Sequence, residues 1–140
     1  MKKGMLILLV LAFVLGLSAC DGTPSYKTVK VDLTKMNSTM VYSEVSNMMT
    51  TPDKYLGKTV RMKGTFAVYK GETRNYYACI ISDATACCQQ GMEFVLAGDF
   101  EYPGDYPAEG TEITVTGIFD TYKEGTQMYC QLADAVMEKN

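Results

Sequence analysis

From Thr39 onward the apolar residues fall into two different rhythms. Val41, Val45, Met48 and Met49 stand at i, i+4, i+7 and i+8, which is one stripe of a helix, with Asn37 or Ser38 placed to cap it and Thr51-Pro52 to stop it. A helix of about three turns cannot hold its stripe alone, so this one is expected to lie across the end or face of a sheet. After Thr59 the period drops to two. "KTVRMKGTFAVY" sets Val60, Met62, Gly64, Phe66 and Val68 on one face and Thr59, Arg61, Lys63 and Thr65 on the other, with Gly64 marking a bulge or bend. Tyr76 to Ser82 is apolar on both faces, and Met92 to Leu96 reads as a third strand. Glu101 to Gly110 is a loop with two prolines and two glycines. "TEITVTGIFDTY" alternates again through Ile113, Val115, Gly117 and Phe119, and a last strand carries Met128, Cys130 and Leu132 on one face.

Two parts of this pattern echo each other. Gly64 to Lys70 (GTFAVYK) matches Gly117 to Lys123 (GIFDTYK), and each is followed by a polar turn and a strand carrying one cysteine, Cys79 or Cys130. Five strands, the first and fourth long and glycine-bent, with a loop between the third and fourth, predict a mainly β fold. The expected form is a five-stranded OB-like Greek-key barrel with one N-terminal helix. The competing arrangement is an open antiparallel sheet with the helix packed on one face.

Ahead of this domain stands Met1-Lys2-Lys3-Gly4, then the uncharged apolar run "MLILLVLAFVLGLSA", then Cys20-Asp21. A positive start, a short apolar run and small residues at its end describe an export signal, and the run is shorter than the ~20 residues of a comfortable span. Leu17-Ser18-Ala19-Cys20 resembles a bacterial lipobox, which implies lipidation of Cys20, a membrane anchor and an extracytoplasmic address. The expected division is therefore a lipoprotein signal peptide over 1–19, a lipid-anchored linker over 20–38 with a short strand within 28–33, and the OB-like domain over 39–140.

Composition narrows the chemistry. Without Lys2 and Lys3, 11 basic residues face 16 acidic ones, a net charge of −5 that repels polyphosphate and excludes nucleic acid as a partner. The chain has no histidine, so the usual general base and the common serine or cysteine triads cannot be built, and no phosphate loop is present. Asp83, Glu93, Asp99 and Asp105 read as scattered solvated carboxylates, and no enzyme is expected. Cys79, Cys87, Cys88 and Cys130 remain besides Cys20; in an exported chain they are candidates for disulfides or for a thiolate site for zinc or copper, with inert packing as the third reading. No other cofactor is expected. Met48, Met49, Met62, Met92 and Met128 are expected as core filler. Tyr69, Tyr76 and Tyr122 border the two polar turns, which with Arg74 make a ligand-face candidate, because such turns flank the groove of an OB fold.

"YLGKTVRMKGTF", "CIISDATACCQQGMEF" and "YPAEGTEITVTGIFDTY" together resemble a group of small, uncharacterised bacterial OB-like domains that occur as lipoproteins and at the ends of membrane proteins. The likeness runs over most of Pro52 to Ala135, and its distinctive part is the Cys-Cys segment. It implies a metal or solute transport context with a permease as partner. The expected function is a non-enzymatic binding module for an envelope protein, peptide or glycan partner, or alternatively a thiol-based zinc- or copper-binding accessory of a transport system.

Overall fold

The computed structural model describes residues 23–140, so the expected signal peptide and Cys20 lie outside the described residues. The order is β1 (Val31–Asp32), a 3-10 turn (Leu33–Lys35), α1 (Ser38–Thr50), a second 3-10 turn (Pro52–Lys54), β2 (Thr59–Lys70), β3 (Asn75–Ser82), β4 (Gln89–Leu96), β5 (Glu112–Glu124) and β6 (Gln127–Lys139). None of the described helices is long and apolar enough to cross a membrane.

Local chemistry sets the limits of α1. The Asn37 side chain accepts a hydrogen bond from the Met40 N–H at 3.0 Å, satisfying one of the free donors of the first turn. At the other end the Thr51 N–H and hydroxyl both donate to the Asn47 carbonyl, and Pro52 then prevents continuation. The stripe is only partly as expected. Val45 and Met48 are fully buried against the sheet, whereas Met49 is 39% exposed.

Six strands form one sheet in the order β1-β2-β3-β4-β6-β5, and β2 also pairs with β5, closing the sheet into a ring. The open sheet is thereby excluded: seven antiparallel pairs, from Thr59↔Ile118 to Thr65↔Glu112, join what would have been free edges. Strand β2 pairs with β5 up to Thr65 and with β3 from Thr65 onward. Gly64 sits just before that handover. A Cβ there would lie 2.3 Å from the Ile80 carbonyl oxygen and 2.9 Å from the Cys79 sulfur, so the crossing needs a residue without a side chain. Gly117 repeats the device where the β5–β6 register shifts between Thr116 and Ile118; its Cβ would meet the Ala133 carbonyl at 2.9 Å. The echo in the sequence is thus two glycine-bent strands, each starting a hairpin. Strands β4 and β6 run parallel from Glu93↔Gln131 to Leu96↔Ala135.

Inside the ring lie Val60, Met62, Phe66, Met92, Phe94, Ile113, Val115, Phe119 and Leu132, none more than 1% exposed. Burying each such side chain stabilises by about 1.5–3 kcal/mol. The short strand expected within 28–33 is β1, which pairs in parallel with Val60 and Arg61, and Leu33 just after it is core, because its apolar side chain finds the gap beside α1 and β2. The Pro/Gly loop contributes to the core as well, since Tyr106 is buried and stacks on Tyr77 at 4.2 Å and on Phe66 at 5.7 Å.

Candidate functional site

Both hairpins run past the closed part of the ring. In β2–β3, Tyr69 pairs with Tyr76, and the Gly71 N–H donates to the Arg74 carbonyl at 2.9 Å to close the turn. In β5–β6, Tyr122 pairs with Tyr129 across a two-residue turn whose Gly125 has φ +59°, the left-handed conformation such turns need. The Tyr122 and Tyr129 rings stack with centroids 5.5 Å apart.

No strand pairing joins the two hairpin tips; side chains do. The Arg74 guanidinium donates to Glu124 at 3.0 Å and lies 3.6 Å from Glu93. The Tyr76 hydroxyl donates to the Glu124 carboxylate at 2.8 and 2.9 Å, and the Tyr122 hydroxyl donates to Glu93. Arg74 also lies over two rings, 4.3 Å from the centroid of Tyr76 and 5.2 Å from that of Tyr122. An Arg74–Glu124 pair this exposed is screened by solvent and adds little to stability. Its effect is geometric, since one guanidinium ties the β2–β3 turn to β4 and β5.

Between the hairpins lies a groove of about 590 Å³. Its floor is Ala78 and Gly91, whose small size leaves the space open. Tyr69, Tyr76, Tyr122 and Tyr129 form its walls with Glu93 and Glu124, and Met49, Met128 and Cys130 complete it. The two carboxylates are driven in opposite directions. Desolvation raises Glu93, whose side chain is 13% exposed, against the stabilising Tyr122 hydrogen bond and Arg74 charge; the Tyr76 hydrogen bond, and then Arg74, lower Glu124. Burial and the Glu93 contact push the Tyr122 phenol well up, so it stays a donor.

Of the ligand-face residues expected from sequence, Tyr69, Tyr76 and Tyr122 line this groove, and Arg74 stands beside it as the brace. Glu93, Glu124, Tyr129, Met49 and Met128 were not foreseen. Glu93 is not a scattered solvated carboxylate but a held one, and Met49 and Met128 (52% exposed) are groove wall rather than core, because the hairpin carries Met128 beyond the packed ring. The spacing from Tyr122 to Tyr129, symmetric about Gly125-Thr126, was the signal that would have found Tyr129.

The structure does not bring the cysteines together. All four described cysteines are free thiols. Cys79 faces the core, where burial pushes its thiol up to about 12. Cys130 is half-buried beside the groove, and burial raises it too. Cys87 and Cys88 are exposed in the β3–β4 turn, where Asp83 accepts from the Cys87 N–H at 2.9 Å and Ala86 adopts φ +55°. Register explains the separation. Ser82 pairs with Gln89, three residues along from the Cys79↔Met92 pair, which sets that turn roughly 10 Å from Cys79. Cys79 and Cys130 have β4 between them, two strand spacings or roughly 9–10 Å, whereas a disulfide needs Cα atoms within about 7 Å. Among the described residues, no group of three or more cysteines, aspartates or glutamates is placed to hold a metal ion, so the four-thiolate zinc or copper site is not assembled.

No protein-family model matches the chain, and comparison with curated proteins and with solved structures gives no significant match.

Proposed function

We propose that this chain is a lipid-anchored, extracytoplasmic lipoprotein whose domain is an OB-like, non-enzymatic binding module, presenting its hairpin groove to a protein, peptide or glycan partner of the cell envelope. The connectivity supports the OB-like reading. The five long strands close in the order β2-β3-β4-β6-β5-β2 with β4 and β6 parallel, and the groove lies over the second and third of them between the two hairpin turns, the ligand face of that architecture. The lipobox-like Leu17 to Cys20 supports the anchor and the address.

One observation carries the binding role. Met49, Tyr69, Met128 and Tyr129 are four of the eight large apolar side chains exposed among the described residues, and all four line this one groove. Exposed apolar groups gathered in one place mark a surface that is covered in use. Glu93 and Glu124 form no free acid-base pair in this reading, since Tyr76, Tyr122 and Arg74 already occupy their oxygens. Among the described residues, the thiol accessory role is left with Cys87 and Cys88 as its exposed donors.

The test is retention of the full chain, in detergent, on peptide and glycan arrays, alongside Tyr69→Ala/Tyr129→Ala. Selective retention that the double variant loses is the expected result. Retention equal for both proteins would overturn the groove assignment.

A further inference from the structure

We propose that the groove reads a cationic side chain, lysine or arginine, carried on an otherwise apolar segment of a partner protein. This rests on the binding-module reading and names what the groove selects.

Among the described residues, the charged side chains that line the groove are Glu93 and Glu124, and no lysine or arginine is part of its lining. Arg74, the neighbouring cation, sits to one side and is spent in bracing. Two carboxylates against one arginine leave the site with a net negative charge inside a partly desolvated aromatic enclosure, where Coulomb attraction is stronger than at an open surface. The walls match. Four tyrosines line the groove, and an aromatic ring attracts ammonium and guanidinium through its quadrupole. Arg74 itself shows the chemistry at work on Tyr76 and Tyr122, at 4.3 and 5.2 Å. Tyr129, 42% exposed and stacked on Tyr122, and Tyr69, 56% exposed, have no described cation over their rings and are the ones open to an incoming one.

A peptide fits the remainder better than a free amine does. The groove's volume of about 590 Å³ far exceeds one ammonium group and falls within the range of sites for larger ligands. Met49 and Met128 supply flexible, polarizable surface suited to the aliphatic stem of the basic residue and its apolar neighbours. Tyrosine and methionine are also enriched at protein–protein contacts.

The experiment is a membrane array of acetyl-Gly-Leu-X-Leu-Gly peptides with X varied over lysine, arginine, glutamine, norleucine and glutamate, probed with the full chain in detergent. Wild type, Glu93→Gln/Glu124→Gln, Tyr129→Leu and Tyr69→Ala/Tyr129→Ala are compared, each with its melting temperature recorded. Wild type should retain X = lysine or arginine about tenfold above glutamine and norleucine. The double glutamine variant, isosteric and still able to accept from Tyr76 and Tyr122, should lose that preference while keeping weak retention of all peptides. Tyr129→Leu keeps an apolar wall, so it should cut the preference several-fold and spare norleucine. Retention that ignores X, yet falls with Tyr69→Ala/Tyr129→Ala, overturns the cation reading and leaves the binding module standing. Retention of no peptide, or a preference for glutamate, overturns the proposal, and the glycan array then decides the module's fate separately. Hexylammonium competing as well as the free lysine peptide would overturn the peptide part.

Discussion

Gly64→Ala tests the closure that positions the groove. The added Cβ would stand 2.3 Å from the Ile80 carbonyl oxygen, against about 3.4 Å for ordinary contact, so β2 and β3 must part by roughly 1 Å where β2 passes from β5 to β3. The obstacle is backbone, which cannot rotate aside. Overpacking of this kind costs about 1–3 kcal/mol, and loosening one or two adjacent sheet hydrogen bonds adds about 1 kcal/mol each. The sum is about 2–5 kcal/mol, which for a domain of this size lowers the melting temperature by roughly 8–20 °C. Gly104→Ala is the reference, because its Cβ would find only the Glu101 carbonyl, at 3.8 Å; it should change stability by less than about 0.5 kcal/mol. Circular dichroism melts and urea titrations of the three proteins measure both. A Gly64→Ala protein that melts within about 3 °C of wild type would refute the close approach and, with it, the ring.

Other expectations follow from the site. Glu93 has a raised folded-state pKa, so the folded chain holds that proton more tightly than the unfolded chain; its contribution is complete below the usual carboxyl range and lost as pH rises through the folded value. Glu93→Gln should therefore gain on wild type between pH 4 and pH 7. Glu124 is lowered and has the opposite sign, stabilising above the usual range and losing this as pH falls, so the deficit of Glu124→Gln should be full at pH 7 and close toward pH 3. Parallel pH trends for the two variants, read by melting temperature, would contradict the network. Iodoacetamide followed by peptide mapping should label Cys87 and Cys88 quickly, Cys130 slowly, and Cys79 only on unfolding; early labelling of Cys79 would contradict its place in the core. Cys20→Ser should abolish incorporation of an alkynyl fatty acid in the producing bacterium, and unchanged incorporation would remove the lipid anchor.

The strands were legible because periodicity is local. Val60, Met62 and Phe66 alternate in sequence and point into one core, and the glycines at 64 and 117 marked the bends. What escaped the sequence depends on how far each hairpin extends. Met128 and Leu132 share an alternating pattern, yet one is 52% exposed and the other fully buried, since only the second lies within the closed ring. Glu93 reads as any strand carboxylate until Arg74, from the β2–β3 turn, and Tyr122, from β5, are folded over it. The cysteines misled for a related reason. Sequence proximity made Cys79, Cys87 and Cys88 look like one set, whereas antiparallel register spreads them along the hairpin.

The most direct measurement is an amide shift map of the ¹⁵N-labelled full chain titrated with acetyl-Gly-Leu-Lys-Leu-Gly-amide. Shifts should cluster at Tyr69, Ala78, Gly91, Tyr122 and Tyr129, the floor and walls of the hairpin groove. Shifts confined instead to the separate groove around Ser25, Val29, Arg61 and Glu138, or no saturable shift at all, would contradict its assignment as the binding face.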